Sequence, residues 1–215
     1  MVWAGRPFYP HSMHLRAQAL VLSARQHGEH NAVVRCLTQE SGLVAGYVRG
    51  GRSRAIRPIL QPANLIMGEW RARTEEQLAG LTVELIHSRA PLYSEPLASA
   101  ALEWVTALTA VALPESQPYP RLYTALDGMI GAIEAAPAAR GWAVALVRYE
   151  DLLLAELGYA SDEAPTLTSE SGWPGILAAL ALAGRAIETH LLTDRRAEAL
   201  AARARLVERL KRAVA

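Results

Sequence analysis

Apolar residues between Leu15 and Leu85 come in short runs separated by turn formers. The runs are Leu15–Ser23, Ala32–Thr38, Leu43–Val48, Leu65–Arg73 and Gln77–Ile86, and the first two breaks are Gln26-His27-Gly28-Glu29-His30-Asn31 and Glu40-Ser41-Gly42. Such runs predict strands. The fourth alternates, with Leu65, Met67, Glu69, Arg71 and Arg73 on one face and Ile66, Trp70 and Ala72 on the other. The fifth sets Leu81, Val83 and Leu85 against Thr82, Glu84 and Ile86. Five strands in about seventy residues with tight turns predict a small closed or partly open barrel rather than a sandwich.

At Pro91 the period changes from two to three-and-four. Leu97, Ala101, Trp104/Val105, Leu108 and Val111 form one helical stripe, and Leu122, Leu126, Met129/Ile130 and Ile133 form a second, closed by Pro137. A third runs from Trp142 through Leu146, Tyr149, Leu152/Leu153 and Leu157 to Gly158, a residue suited to a helix C-terminus. Residues 161–175, rich in Ser, Thr, Pro and Gly, read as a loop; Pro174 opens a fourth helix through Glu188, and Asp194 caps a fifth. Stripes of this kind are the core of a bundle. The fold class expected is therefore α+β: residues 1–12 a peripheral extension, 13–90 the barrel and 91–215 the helical domain, with Met13 an alternative start to Met1.

Charge sharpens this division. Residues 13–74 carry nine arginines against three acids, a balance of +6, while residues 91–215 carry eleven basic groups against fifteen acids, a balance of −4. A basic front half implies an anionic partner. Its densest part is Tyr47-Val48-Arg49-Gly50-Gly51-Arg52-Ser53-Arg54-Ala55-Ile56-Arg57-Pro58, read as a strand end followed by a mobile basic loop. The guanidinium fork suits phosphate, because it bonds two oxygens at once and its charge is permanent. A merely solvated basic loop is the alternative. Arg71 and Arg73 share a strand face, so a barrel could set them beside Arg49, Arg52, Arg54 and Arg57 as one groove, with Arg25 and Arg35 as secondary contacts. Tyr47 and Trp70 offer flat faces on which a base could stack, although Trp70 points away from Arg71 and Arg73, as a core residue would.

Enzymatic signatures are missing: the sequence has no P-loop, dinucleotide fingerprint, nucleophile elbow or paired metal-binding acidic motif. The expectation is a non-enzyme with no cofactor and no metal. Cys36 is the single cysteine, which excludes an internal disulfide and a multi-cysteine zinc site. His27 and His30 lie in a predicted turn without a third ligand, and the adjacent acids Glu75-Glu76 and Glu150-Asp151 read as solvated. With no signal-peptide core and no uncharged run of spanning length, the chain is expected in the cytoplasm. A protein-interaction adaptor, whose barrel binds a protein and whose basic surface is incidental, is the alternative to a nucleic-acid partner.

Four segments in order carry a resemblance: ALVLSARQHGEHNAVV with its Gly28-Glu29 turn, LTQESGLVAGYVRGGRSR, LQPANLIMGEW from Leu60, and RYEDLLLAELGYA from Arg148. Over about Leu15 to Tyr159 the chain resembles the RecO recombination mediators of bacterial DNA repair. The resemblance implies an N-terminal OB-fold that binds single- and double-stranded DNA, followed by an α-helical domain. It further implies annealing of complementary strands and help in loading the recombinase RecA onto DNA coated by single-stranded-DNA-binding protein (SSB), without nucleotide hydrolysis, in association with the nucleoid. Its implied partners are the acidic C-terminal tail of SSB and RecR. Many family members follow the LGY segment with a four-cysteine zinc site, whereas here Tyr159 is followed by ASDEAPTLTSESGWPG, so 160–175 is a loop in its place. An acidic tail with an apolar end needs arginines beside an apolar groove. Arg121, Arg140 and Arg148 are the candidates, each adjoining the stripe of the second or third helix; solvated helix-end charges are the alternative.

Overall fold

The computed structural model describes residues 13–74, 77–136, 138–160, 167–168, 171–192 and 197–214. The 1–12 extension, Glu75-Glu76, Pro137, most of the 161–170 loop and the expected cap Asp194 lie outside the described residues. Strands β1 (Met13–His27), β2 (Asn31–Thr38), β3 (Gly42–Val48), β4 (Leu65–Ala72) and β5 (Gly80–His87) close into a barrel of order β1-β2-β3-β5-β4. All neighbours are antiparallel except β3 and β5, which run parallel and meet at Tyr47 and Gly80. This closed five-stranded barrel is an OB-fold.

β1 extends four residues beyond the predicted Leu15–Ser23 run because it serves two partners, β4 along its first half and β2 along its second. Both its faces are covered. Ala19 and Val21 fill the barrel interior, while Leu20 and Leu22 belong to the core shared with the helices, so the run Ala19-Leu20-Val21-Leu22 is apolar without alternation. Trp70 is fully buried in the barrel. Gly46 and Gly68 make the room: a β-carbon at Gly46 would lie 2.6 Å from the Leu81 β-carbon and 2.8 Å from the Trp70 indole nitrogen, and one at Gly68 would overlap the Trp70 ring. Leu85 stays opposite Ile66 on the interior side, but beyond the single β3–β5 contact the barrel end leaves it 39% exposed.

The basic stretch is not the loose loop its composition suggested. From Arg49 to Ala63 it is a chain of turns, closed by hydrogen bonds from Ser53 N to Gly50 O (2.8 Å) and Arg57 N to Ser53 O (2.9 Å). Ser53 Oγ accepts Ile56 N at 3.2 Å, and Ile56, Ile59 and Leu60 pack against the barrel core. Its far end returns to β1 at the bulge between Val21 and Ser23, where Ala63 N donates to Val21 O and Val21 N to Asn64 O.

A 3-10 turn at Ala90–Ser94 leads into α1 (Pro96–Ala112), α2 (Pro120–Ala135), α3 (Ala143–Glu156), α4 (Trp173–His190) and α5 (Ala197–Val214). Proline in the first turn of α1, α2 and α4 suits positions whose N–H has no helical partner. α3 ends as predicted at Gly158, whose φ of +86° allows the paired bonds Tyr159 N to Leu154 O and Gly158 N to Ala155 O. One core runs from Leu20, Leu22, Leu37 and Leu43 of the barrel into all five helices, so the two halves share a core. The α1–α2 connection docks on the β2–β3 hairpin, with Ser116 N donating to Leu43 O at 2.9 Å.

Inside the bundle, Glu150 departs from its expected solvation. It is buried on the core face of α3, accepts Trp104 Nε1 at 2.6 Å and faces Arg203 Nη2 of α5 at 3.4 Å. Burial raises its pKa more than Arg203 and Trp104 lower it. Arg203 also donates to Leu180 O at 2.5 Å and crosses α4 where residue 184 is glycine, since a β-carbon there would strike the guanidinium.

Candidate nucleic-acid interface

The alternation of β3 and β4 turns Tyr47 and Arg71 away from the barrel core, while Arg49 and Arg73 continue just past the strand ends. These four side chains line one concavity of about 700 Å³, floored by Leu78 and Gly80. It runs into a second of about 370 Å³ that adds Ile56, Thr82 and Val83. His27 meets the Tyr47 ring edge-to-face, with centroids 5.7 Å apart. Arg71 donates from Nε (3.0 Å) and Nη2 (2.5 Å) to Glu69, which also bonds His14 at 2.8 Å. The Arg71 hydrogen bond, followed by that of His14, holds the Glu69 carboxyl below its ordinary pKa. Arg49 and Arg73 have no acidic partner among the described residues, so the face keeps a surplus of positive charge.

The remaining arginines of the basic stretch do not join this face. Arg52 and Arg57 line a different concavity of about 580 Å³ with Arg25, Gln26 and Gln61. There Arg52 N donates to His30 O at 3.1 Å, and Arg25 pairs with Glu198 at 3.2 Å. Both partners of that pair are largely exposed, 75% and 91%, so it is worth little. Arg54 is exposed on the segment between and lines neither concavity. The single groove expected from the sequence is thus two basic surfaces.

Arg35 is held at the junction of barrel and helices. Its Nη1 donates to Ala110 O at 2.6 Å and its Nη2 to Glu115 at 3.1 Å. Ala110 belongs to the last turn of α1, where carbonyls lack helical partners and a cation is favoured. Two residues that the sequence did not single out fasten the basic segment. Asn64, fully buried, donates from Nδ2 to Pro58 O (2.9 Å) and Ile59 O (3.1 Å), and its Oδ1 accepts Arg89 N at 2.8 Å. Arg89, also buried, bonds Ala63 O and Asp127 of α2, both at 3.0 Å. The only signal was a polar residue opening the apolar run Asn64–Met67.

The helical-domain candidates do not converge. Arg121 pairs with Glu156 at 2.7 Å, Arg140 is exposed in the 3-10 turn Ala139–Gly141, and Arg148 donates to Leu167 O at 2.9 Å. A cavity of about 770 Å³ does lie between the barrel and α1 and α5, lined by Leu22, Val111 and Ala202 with Arg25, Arg35 and Arg205. Arg35 and Arg205 face Glu115 and Glu103 there, and Arg25 holds Glu198 in an exposed pair. Cys36 is buried in the barrel, and burial pushes its thiol pKa up to about 12. Among the described residues no three His, Cys, Asp or Glu side chains group closely enough to hold a metal ion, and no helix is long and apolar enough to cross a membrane.

An OB-fold barrel with a basic outer face, sharing a core with a helical bundle, is the class this fold defines. Residues 13–89 match the family described as Recombination protein O N terminal, and residues 93–166 match Recombination protein O C terminal. The chain is similar to the DNA repair protein RecO of Gluconacetobacter diazotrophicus, 44% identical over 153 residues, which is 70% of this chain and 60% of that protein. It is also similar to RecO of Phenylobacterium zucineum, 38% identical over 151 residues (70% and 61%), and of Rhodospirillum centenum, 34% identical over 238 residues (91% and 94%). The matches to the first two thus span about three fifths of those relatives' length. The chain belongs to the RecO family.

Proposed function

We propose that this chain is a non-enzymatic DNA-binding recombination mediator that binds single- and double-stranded DNA, anneals complementary strands and helps load the recombinase onto SSB-coated DNA. The observation that carries the reading is the convergence of Arg49, Arg71 and Arg73 beside Tyr47 on the outer face of the barrel. Arginines there neutralise phosphates of a strand, and the Tyr47 ring gives a base a stacking surface worth about 1–3 kcal/mol. Neutralised phosphates lower the repulsion between complementary strands, which is what annealing requires. Membership of the family supports SSB and RecR as partners and a nucleoid-associated place in the cytoplasm.

Anisotropy of a labelled single-stranded oligonucleotide, titrated at several salt concentrations, tests the reading. Each phosphate contact on a single strand contributes about 0.7 to the slope of log K against log salt, so replacing Arg49, Arg71 and Arg73 with Ala removes about 2. No binding even at low salt would sink the reading and favour a protein-interaction adaptor. A nucleotide-hydrolysis assay with and without DNA is expected to show no turnover.

A further inference from the structure

We propose that one barrel holds two nucleic-acid strands at once: a single strand with its bases against Tyr47, and a second strand held by its phosphates alone in the concavity of Arg25, Arg52 and Arg57. This rests on the DNA-binding reading above and adds a second site to it. The two surfaces share no lining residue. Between them the Gly50–Pro62 segment is fixed at both ends, by Gly50 N donating to Asn31 Oδ1 at 3.0 Å and by Asn64 donating to Pro58 O and Ile59 O. The hydrogen bond from Arg57 N to Ser53 O keeps this stretch in a turn whose Ile56 packs on the barrel core. The segment that gives Ile56 to the first surface and Arg52 and Arg57 to the second therefore stands between them as an anchored partition.

The two surfaces also differ in chemistry. The first combines arginines with an aromatic ring and the apolar side chains of Leu78, Ile56 and Val83, a surface for bases as well as phosphates. The second has no aromatic side chain among its lining residues; beside its cations it offers mainly Gln26, Gln61 and small or proline residues. Its cations are available. Arg57 has no acidic partner among the described residues, Arg52 donates from Nη1 only to the Glu29 carbonyl at 3.4 Å, and Arg25 holds the exposed Glu198 that a phosphate can displace. A strand bound there through phosphate oxygens keeps its bases in solvent, free to be tried against those of the first strand. This site accepts single strands and duplexes alike, because it reads only phosphate.

Two non-complementary oligonucleotides, one carrying a donor dye and one an acceptor, test the proposal with the full chain. Sedimentation of the mixture gives the number of strands per chain, and energy transfer reports whether they share a complex. The expected result is one chain with two oligonucleotides and energy transfer between them. Arg52→Gln with Arg57→Gln is expected to remove the second oligonucleotide and slow annealing, while a one-to-one complex remains. A chain that binds one oligonucleotide and never two overturns the second site and leaves DNA binding intact. Retention of the second oligonucleotide by the Arg52/Arg57 variant, with its circular dichroism unchanged, overturns the location. Absence of any complex at low salt overturns the DNA-binding reading itself.

Discussion

Asn64→Ala removes a side chain that serves three backbone groups from a fully buried position. The carbonyls of Pro58 and Ile59 lose their donor, and the Arg89 N–H loses its acceptor. The Arg89 N–H is buried and costs about 1–3 kcal/mol when left without a partner, while the two carbonyls sit on partly exposed residues and add less, so the loss is about 2 kcal/mol. The loss is global as well as local, because the same side chain ties the basic segment to the start of the helical domain. Urea unfolding followed by far-ultraviolet circular dichroism and by tryptophan fluorescence measures it, since Trp70, Trp104 and Trp142 are buried in the barrel and bundle cores. Because a common core joins the helices to β1, β2 and β3, both probes should report one transition at a lower midpoint. The variant should also bind the second oligonucleotide less well, since the chain next to Arg57 is released. A loss under about 1 kcal/mol would refute the reasoning, showing that the three groups find other partners at little cost.

Gly42→Ala should destabilise by about 3 kcal/mol, from overpacking of about 1–3 kcal/mol plus the cost of a left-handed conformation. Residue 42 has φ +68° and its β-carbon would overlap the Gln117 carbonyl; a stable variant by thermal melt would show that the α1–α2 connection moves aside freely. Glu150→Gln keeps an acceptor for Trp104 and does not titrate. The Glu150 pKa is raised in the folded state, so its favourable contribution is present below the ordinary Glu range and is lost as pH rises through the raised value. Relative to the Gln variant, wild type should lose stability from about pH 4 upward, and urea midpoints with a constant difference across pH would contradict this. Arg35→Ala should cost about 1 kcal/mol by stranding the Ala110 carbonyl, since Glu115 is half exposed and stays solvated, with the salt slope of oligonucleotide binding unchanged; a lower slope would return Arg35 to the DNA contacts.

Local periodicity was enough to determine the five strands, the five helices and the inward or outward sense of most residues. Trp70 as core, Arg71 and Arg73 on the opposite face, and Gly158 as the end of α3 were all legible from spacing, because alternation and helical stripes are properties of the chain itself. What spacing does not contain is which other element covers a given face. Leu20 and Leu22 point out of the barrel yet are buried, because helices lie there. Arg35, outward on β2, is claimed by the end of α1, and Glu150, one of two adjacent acids, is drawn inside by Trp104 and Arg203 from helices about fifty residues away in either direction. The division of the arginine stretch into two surfaces has the same origin. Arg49 leaves β3 toward β4 and β5, whereas Arg52 and Arg57 follow turns that Asn31, Asn64 and the β1 bulge hold against the other side of the barrel. Sequence proximity placed them together, and the tertiary anchoring of the backbone between them set them apart.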